Sequence, residues 1–186
     1  MKFCDFVDAP TPTTTVCPSI VCSTAVWIQN PSSNYQVEQL NITCSPTLVN
    51  MSIVQTIQRT SNETHAQQYQ TFWNGSTNMT YLQTSTQLTY FWNSIPGMHI
   101  VKESFPNFVE AQFFYTPGSV RNTSGDTWQM WLQSICGEIR YFSGTYWTSD
   151  NRKPFYVSET LVTLRVNLEK FPVTISNNKL NLGHLF

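Results

Sequence analysis

Several stretches of this chain alternate apolar and polar side chains, a rhythm that puts every second residue on one face of an extended strand. "YQVEQLNIT" sets Glu38, Leu40 and Ile42 against Val37, Gln39 and Asn41. "VNMSIVQTI" turns Met51, Ile53 and Ile57 one way and Asn50, Ser52 and Thr56 the other. "QLTYFW" gathers Leu88, Tyr90 and Trp92, and "NFVEAQFFY" gathers Val109, Ala111, Phe113 and Tyr115, with Phe108 and Phe114 leaving its other face partly apolar. "LVTLRVNL" opposes Val162, Leu164, Val166 and Leu168 to Thr163, Arg165 and Asn167. Helical periodicity is hard to find. Turn signals such as "NPSSN", "IPG", "TPGS" and "TSGD" separate the runs, a spacing that suits a sandwich or barrel. In "TSGD", Gly125 is expected to supply a permissive backbone and Asp126 an Asx-type bond.

The immunoglobulin variant asks for a Trp roughly a dozen residues after the first core Cys and a Tyr two before the second. Neither Cys22 nor Cys44 has that Trp, and Ser134 stands two before Cys136. The expected fold class is all-β: an antiparallel β-sandwich, immunoglobulin-like or jelly-roll-like in topology, without the immunoglobulin Cys/Trp signature. A single domain is expected over 21–176. A Pro/Thr-rich leader or linker, "APTPTTTVCPS" within 1–20, precedes it, and a tail over 177–186 follows.

Composition then narrows the function. Charged residues make up 11% of the 186 and the net charge is -1, with no Lys/Arg cluster. That excludes the basic footprint of a nucleic-acid binder. No apolar run reaches membrane-span length. With 15 Asn and 42 Ser plus Thr, chance supplies about three Asn-x-Ser/Thr triplets. Six occur, at Asn41, Asn50, Asn62, Asn74, Asn78 and Asn122, while Pro31 disqualifies Asn30. In a strand the Asn and Ser/Thr of such a triplet share a face and the middle residue points inward. Ile42, Met51 and Met79 are therefore expected inside, with Asn41, Asn50 and Asn78 offered to glycans. In "FWNGSTNMTY", Asn74-Gly75 is expected to turn a hairpin.

The five cysteines point the same way. Cys17, Cys22, Cys44 and Cys136 are the disulfide candidates, and Cys4, in the leader, is the odd one. Residues 1–20 hold no apolar run of signal-peptide length, so the start is expected upstream, or the chain is part of something larger. No metal-ligand spacing occurs: His65, His99 and His184 are scattered. No cofactor or metal is expected. Nucleophile elbow, zinc-protease, phosphate-loop and dinucleotide motifs are all missing. Asp126, Glu138 and Asp150 lie close enough in sequence to meet across strands, but a hydrolytic carboxylate pair needs a defined separation. The expectation is a protein that is not an enzyme and has no catalytic residues.

All six triplets fall between 41 and 124. Because glycans exclude partners, the later strands are expected to carry the working face, through Trp131, Tyr141, Tyr146 and Trp147. Of Trp128 and Trp131, three apart in a strand, one is expected in the core and one outside. The reading is a secreted, N-glycosylated, non-catalytic module that binds carbohydrate through exposed aromatics. The alternative is an extracellular protein-recognition or adhesion glycoprotein. Expected partners are a glycan or an extracellular protein, with neither nucleic acid nor membrane insertion.

Overall fold

The computed structural model describes residues 17–72, 75–98, 100 and 107–146, together with the backbone pairing of Phe155 and Tyr156. Among them are ten strands: β1 (Val21–Ser32), β2 (Tyr35–Ser45), β3 (Leu48–Gln58), β4 (Thr64–Gln70), β5 (Thr77–Gln83), β6 (Gln87–Ser94), β7 (Asn107–Phe114), β8 (Thr127–Ser134), β9 (Ile139–Thr145) and β10 (Phe155–Tyr156). No described residue is helical, so among the described residues no helix is long and apolar enough to cross a membrane. Two five-stranded antiparallel sheets form, in the orders β10-β1-β2-β7-β4 and β5-β6-β3-β8-β9. They are called sheets A and B below. The sandwich expected from period-two patterning is the fold observed.

The alternation places the core. Leu40 and Ile42 from β2, Val109, Ala111 and Phe113 from β7, Met51, Ile53 and Ile57 from β3, Leu88, Tyr90 and Trp92 from β6, and Trp128, Met130 and Leu132 from β8 are all buried in one cluster. Each large side chain so placed contributes about 1.5–3 kcal/mol by leaving water. Two aromatic tips also bond across the interior. Tyr90 Oη donates to the Gln112 carbonyl at 2.9 Å, and Trp92 Nε1 donates to the Tyr69 carbonyl at 3.2 Å. Both tie sheet B to sheet A, so burial leaves neither polar group stranded.

Two disulfides join the four candidate cysteines. Cys22–Cys44 staples the directly opposed positions of β1 and β2. Cys17–Cys136 spans 119 residues and ties the approach to β1 to the turn between β8 and β9. Ile20 N donates to Glu138 Oε2 at 2.7 Å beside it, so the entry to sheet A is fastened twice to sheet B.

Three local expectations need correction. First, "FWNGSTNMTY" does not join a hairpin, because β4 pairs with β7 in sheet A while β5 pairs with β6 in sheet B. The stretch carries the chain from one sheet to the other, with Gly75 at φ 87°. Second, Met79 is 44% exposed rather than inside. β5 is an edge strand, so only part of its inward side has sheet A beneath it. Third, Gly125 carries no left-handed φ; a Cβ there would meet Gln58 Cγ at 2.8 Å, so close approach explains the glycine. The Asx-type bond belongs to Asn122, whose Oδ1 accepts from Ser124 N at 2.9 Å. Gly144 is constrained similarly by the Trp128 ring, 2.6 Å from a would-be Cβ.

Residues 1–16 with Cys4, the tail, "LVTLRVNL", Asn74, His99, Trp147, Asp150 and His184 lie outside the described residues.

Candidate functional site

Strand registers lay out the outer face of sheet A as rows. Trp27 of β1 stands opposite Gln39 of β2, Gln39 opposite Glu110 of β7, and Glu110 opposite Tyr69 of β4. Four strands therefore line up an aromatic, an amide, a carboxylate and an aromatic across about 14 Å, three strand spacings. Trp27 is 49% exposed and Tyr69 47%. The adjoining row holds Gln29, Val37, Gln112 and Gln67, and the row on the other side Ala25, Asn41 and Phe108. Tyr35 and Phe114, their ring centroids 5.1 Å apart, close the far end.

The polar groups between the rings hold one another. Tyr35 Oη donates to Gln112 Oε1, Gln112 Nε2 donates to Glu110 Oε2 at 2.7 Å, and Gln39 Nε2 donates to Asn41 Oδ1 at 2.7 Å. Partial burial and the nearby Glu110 carboxylate raise the Tyr35 phenol above its ordinary pKa. The result is a neutral-to-acidic surface of aromatic rings and preset hydrogen-bonding groups.

Of the residues expected from sequence to form the working face, Trp131, Tyr141 and Tyr146 are among the described ones, and none of them lies on sheet A's outer face. Trp128 is core and Trp131 half-buried on the outside of β8. Trp131 stands opposite Tyr141 on one side and Ser52 on the other. Tyr146 is fully buried and takes no part in any outer face. The outer row of sheet B reads Asn78, Asn93, Ser52, Trp131 and Tyr141. Because β3 pairs with both β6 and β8, the later strands share their face with the Asn50 and Asn78 triplets. Separation along the chain did not become separation in space. Of the other triplets, Asn41 lies on sheet A, and Asn62 and Asn122 are exposed in loops.

A second polar constellation sits between the sheets. Arg121 donates from Nη1 to Glu38 Oε1 at 2.9 Å, from Nε to Glu63 Oε1 at 3.1 Å, and from Nη2 to Asp126 Oδ2. Its side chain is 3% exposed and the three carboxylates 0%. The guanidinium also lies over the Phe113 ring, 4.6 Å from its centroid. Asp126 Oδ1 accepts from Gln58 N at 2.7 Å, and Glu38 Oε1 from Gln36 Nε2 at 2.7 Å.

Three carboxylates around one cation would leave two uncompensated charges in a medium that penalises even one. Burial, and then the Asp126 carboxylate, push the Glu38 pKa well above the usual carboxylate range, against the pull of Arg121. Burial also raises Asp126. For Arg121, burial works downward but Glu38 and Asp126 outweigh it and the pKa rises. Burial, with the Glu38 and Asp126 charges, raises Tyr146 well above the ordinary phenol value. The cluster has no accessible surface on its carboxylates. It stitches β2, the β3–β4 connection and the β7–β8 connection together.

The suggested carboxylate pairing does not form between Asp126 and Glu138. Glu138 accepts from Ile20 N and from Arg140 Nε, the latter at 2.7 Å. His65 stacks on Tyr81 with centroids 3.7 Å apart. No group of three or more His, Cys, Asp or Glu among the described residues is arranged to hold a metal ion. Sequence reading missed Trp27. The available signal was the apolar set Cys22, Val26 and Ile28, which turns Trp27 to the opposite side of β1.

No family model matches the chain, and no curated protein matches it. A cohesin module from a Clostridium perfringens family 33 glycoside hydrolase is a solved structure similar to it, covering 68% of this chain and 95% of that one at 11% identity and a TM-score of 0.40. At that identity and score the likeness carries no inference about what this chain does.

Proposed function

We propose that this chain is an extracellular, N-glycosylated, non-catalytic module that binds neutral carbohydrate on the outer face of sheet A. The observation that carries the reading is the row Trp27–Gln39–Glu110–Tyr69. A pyranose ring has a C–H face that packs against an aromatic π-face, and equatorial hydroxyls that need acceptors and donors in the same plane. Exposed rings separated by amides and a carboxylate, themselves tied by hydrogen bonds, meet both needs without reorganising. Two disulfides support an oxidising compartment.

The protein-partner reading keeps one observation of its own. Met79 and Tyr81, two apart on one face of the edge strand β5, are both exposed, and exposed apolar clusters mark interfaces. Titration with neutral oligosaccharides, followed by Trp fluorescence, separates the two. In protein made without N-glycans, saturable change in the native sequence and none in Trp27→Ala supports carbohydrate. A flat response across neutral glycans, with saturable binding to cells stripped of glycans that Tyr81→Ala abolishes, replaces it with the protein reading.

A further inference from the structure

We propose that an N-glycan on Asn41 lies across the Trp27–Phe108 portion of the sheet A face and, when attached, closes that face to ligand. The second half of this statement rests on the carbohydrate reading above; the first half does not. Asn41 starts the triplet Asn41-Ile42-Thr43, and its position is unlike that of the other triplets. Asn62 and Asn122 are exposed in loops, and Asn50 and Asn78 point from sheet B. Asn41 alone among the described triplet asparagines stands on the outer face of sheet A.

Its surroundings fit a sugar. Phe108 is directly opposite on β7 and Ala25 directly opposite on β1, at the about 4.5–5.5 Å spacing of facing strand positions. Trp27 is its diagonal neighbour, two residues along β1 from Ala25, at about 7–8 Å. Ala25 contributes only a methyl group beside Asn41, and Phe108 and Trp27 occupy the facing and diagonal register positions. The Asn41 Oδ1 is already held by Gln39 Nε2 at 2.7 Å, while no described hydrogen bond uses the Nδ2 to which a glycan is joined. The first sugars of a chain rooted there have two aromatic faces within reach and cover the ground a free ligand would use. Occupancy at a single asparagine then sets whether the module binds.

The protein is produced in a glycosylating eukaryotic host as native chain, Asn41→Gln and Asn78→Gln, with occupancy mapped by mass spectrometry. Hydroxyl-radical oxidation of Trp27 is compared among the three, and each is then titrated with neutral oligosaccharides. Expected are a glycan on Asn41, Trp27 oxidised several-fold faster in Asn41→Gln than in native protein, and no change from Asn78→Gln, whose glycan sits on the other sheet. Oligosaccharide binding is expected to strengthen several-fold in Asn41→Gln only. An unoccupied Asn41, or equal oxidation of Trp27 in native and Asn41→Gln proteins, overturns the shielding. Protection of Trp27 by the glycan with no oligosaccharide bound by any form overturns the closure and the carbohydrate reading together, and leaves the shielding standing.

Discussion

Glu38 and Gln39 are consecutive residues of β2, and the regions they enter could hardly differ more. Glu38 points inward to a sealed set of three carboxylates around Arg121. Gln39 points outward into a row with Trp27 at one end and Tyr69 at the other. Both regions combine aromatic rings, amides and carboxylates. In the first, every interaction is spent on holding connections to the sheet; in the second, rings and hydrogen-bonding groups are left facing water. Identical side-chain types thus hold the fold on one side of a strand and, on the proposed reading, meet ligand on the other. Mutations on the two sides must therefore fail in different assays.

The largest separation comes from Arg121→Met. Removing the only cation of the cluster leaves Glu38, Glu63 and Asp126 buried without compensation, and breaking such a set costs about 3–5 kcal/mol. Urea denaturation of the variant is expected to show a loss of that size, while oligosaccharide affinity of the folded fraction stays unchanged. Trp27→Ala is the mirror case. It removes an exposed ring, so stability should move by less than about 0.5 kcal/mol. Affinity should fall by about 2 kcal/mol, roughly 30-fold, as for an aromatic anchor at an interface. A Trp27→Ala protein that binds normally would remove the row from the function.

The contrast also shows what could be read from residue order. Alternation in β2, β3, β6 and β7 named the core, including Leu40, Ile53, Trp92 and Val109, because period-two geometry is local. It even put Glu38 on the same side as Leu40. What Glu38 meets there is not local: Arg121 is 83 positions away, and no neighbour pattern announces it. Sheet membership was hidden for the same reason. Trp131 and the Asn50-Met51-Ser52 triplet share a surface only because β8 adds to β3, a pairing of distant segments. Met79 failed through its neighbour rather than its own pattern, since an edge strand keeps its alternation while losing its cover.

The interior cluster has a pH signature that the outer face lacks. Glu38 is raised well above its ordinary 4.5 by burial and by Asp126, and burial raises Asp126 as well. The groups around Glu38 are Arg121, Glu63 and Asp126, with Tyr90 and Tyr146 also buried nearby. A carboxyl raised in the folded state binds its proton more tightly there than when unfolded. Its contribution to stability is fully present below the unfolded value and is lost as pH climbs through the folded one. Stability should therefore decline as pH rises above the ordinary carboxylate value of 4.5, at up to about 1.4 kcal/mol per pH unit per proton. Glu38→Gln should flatten that slope without altering oligosaccharide affinity. A native slope of the opposite sign would mean that Glu38 is ionised in place.

The finest comparison deletes one hydroxyl on each side of the sandwich. Tyr35 Oη donates to Gln112 Oε1, and Gln112 in turn holds Glu110. Tyr35→Phe releases that chain at a partly exposed site, so folding should weaken by about 0.5 kcal/mol, at the low end for a hydrogen bond. Glu110 loses its fixed partner, and binding should drop several-fold through a poorer fit to ligand hydroxyls. Tyr146 is fully buried, and its hydroxyl faces the Gln55 side chain outside ordinary hydrogen-bond geometry. Tyr146→Phe removes a buried polar group that makes only a poorly formed contact with Gln55, so stability should change by no more than a few tenths of a kcal/mol. Affinity should not move. If Tyr146→Phe instead destabilised the fold by more than Tyr35→Phe, the hydroxyl would have to be anchored inside, and the interior cluster would extend through Tyr146 rather than stop at Asp126.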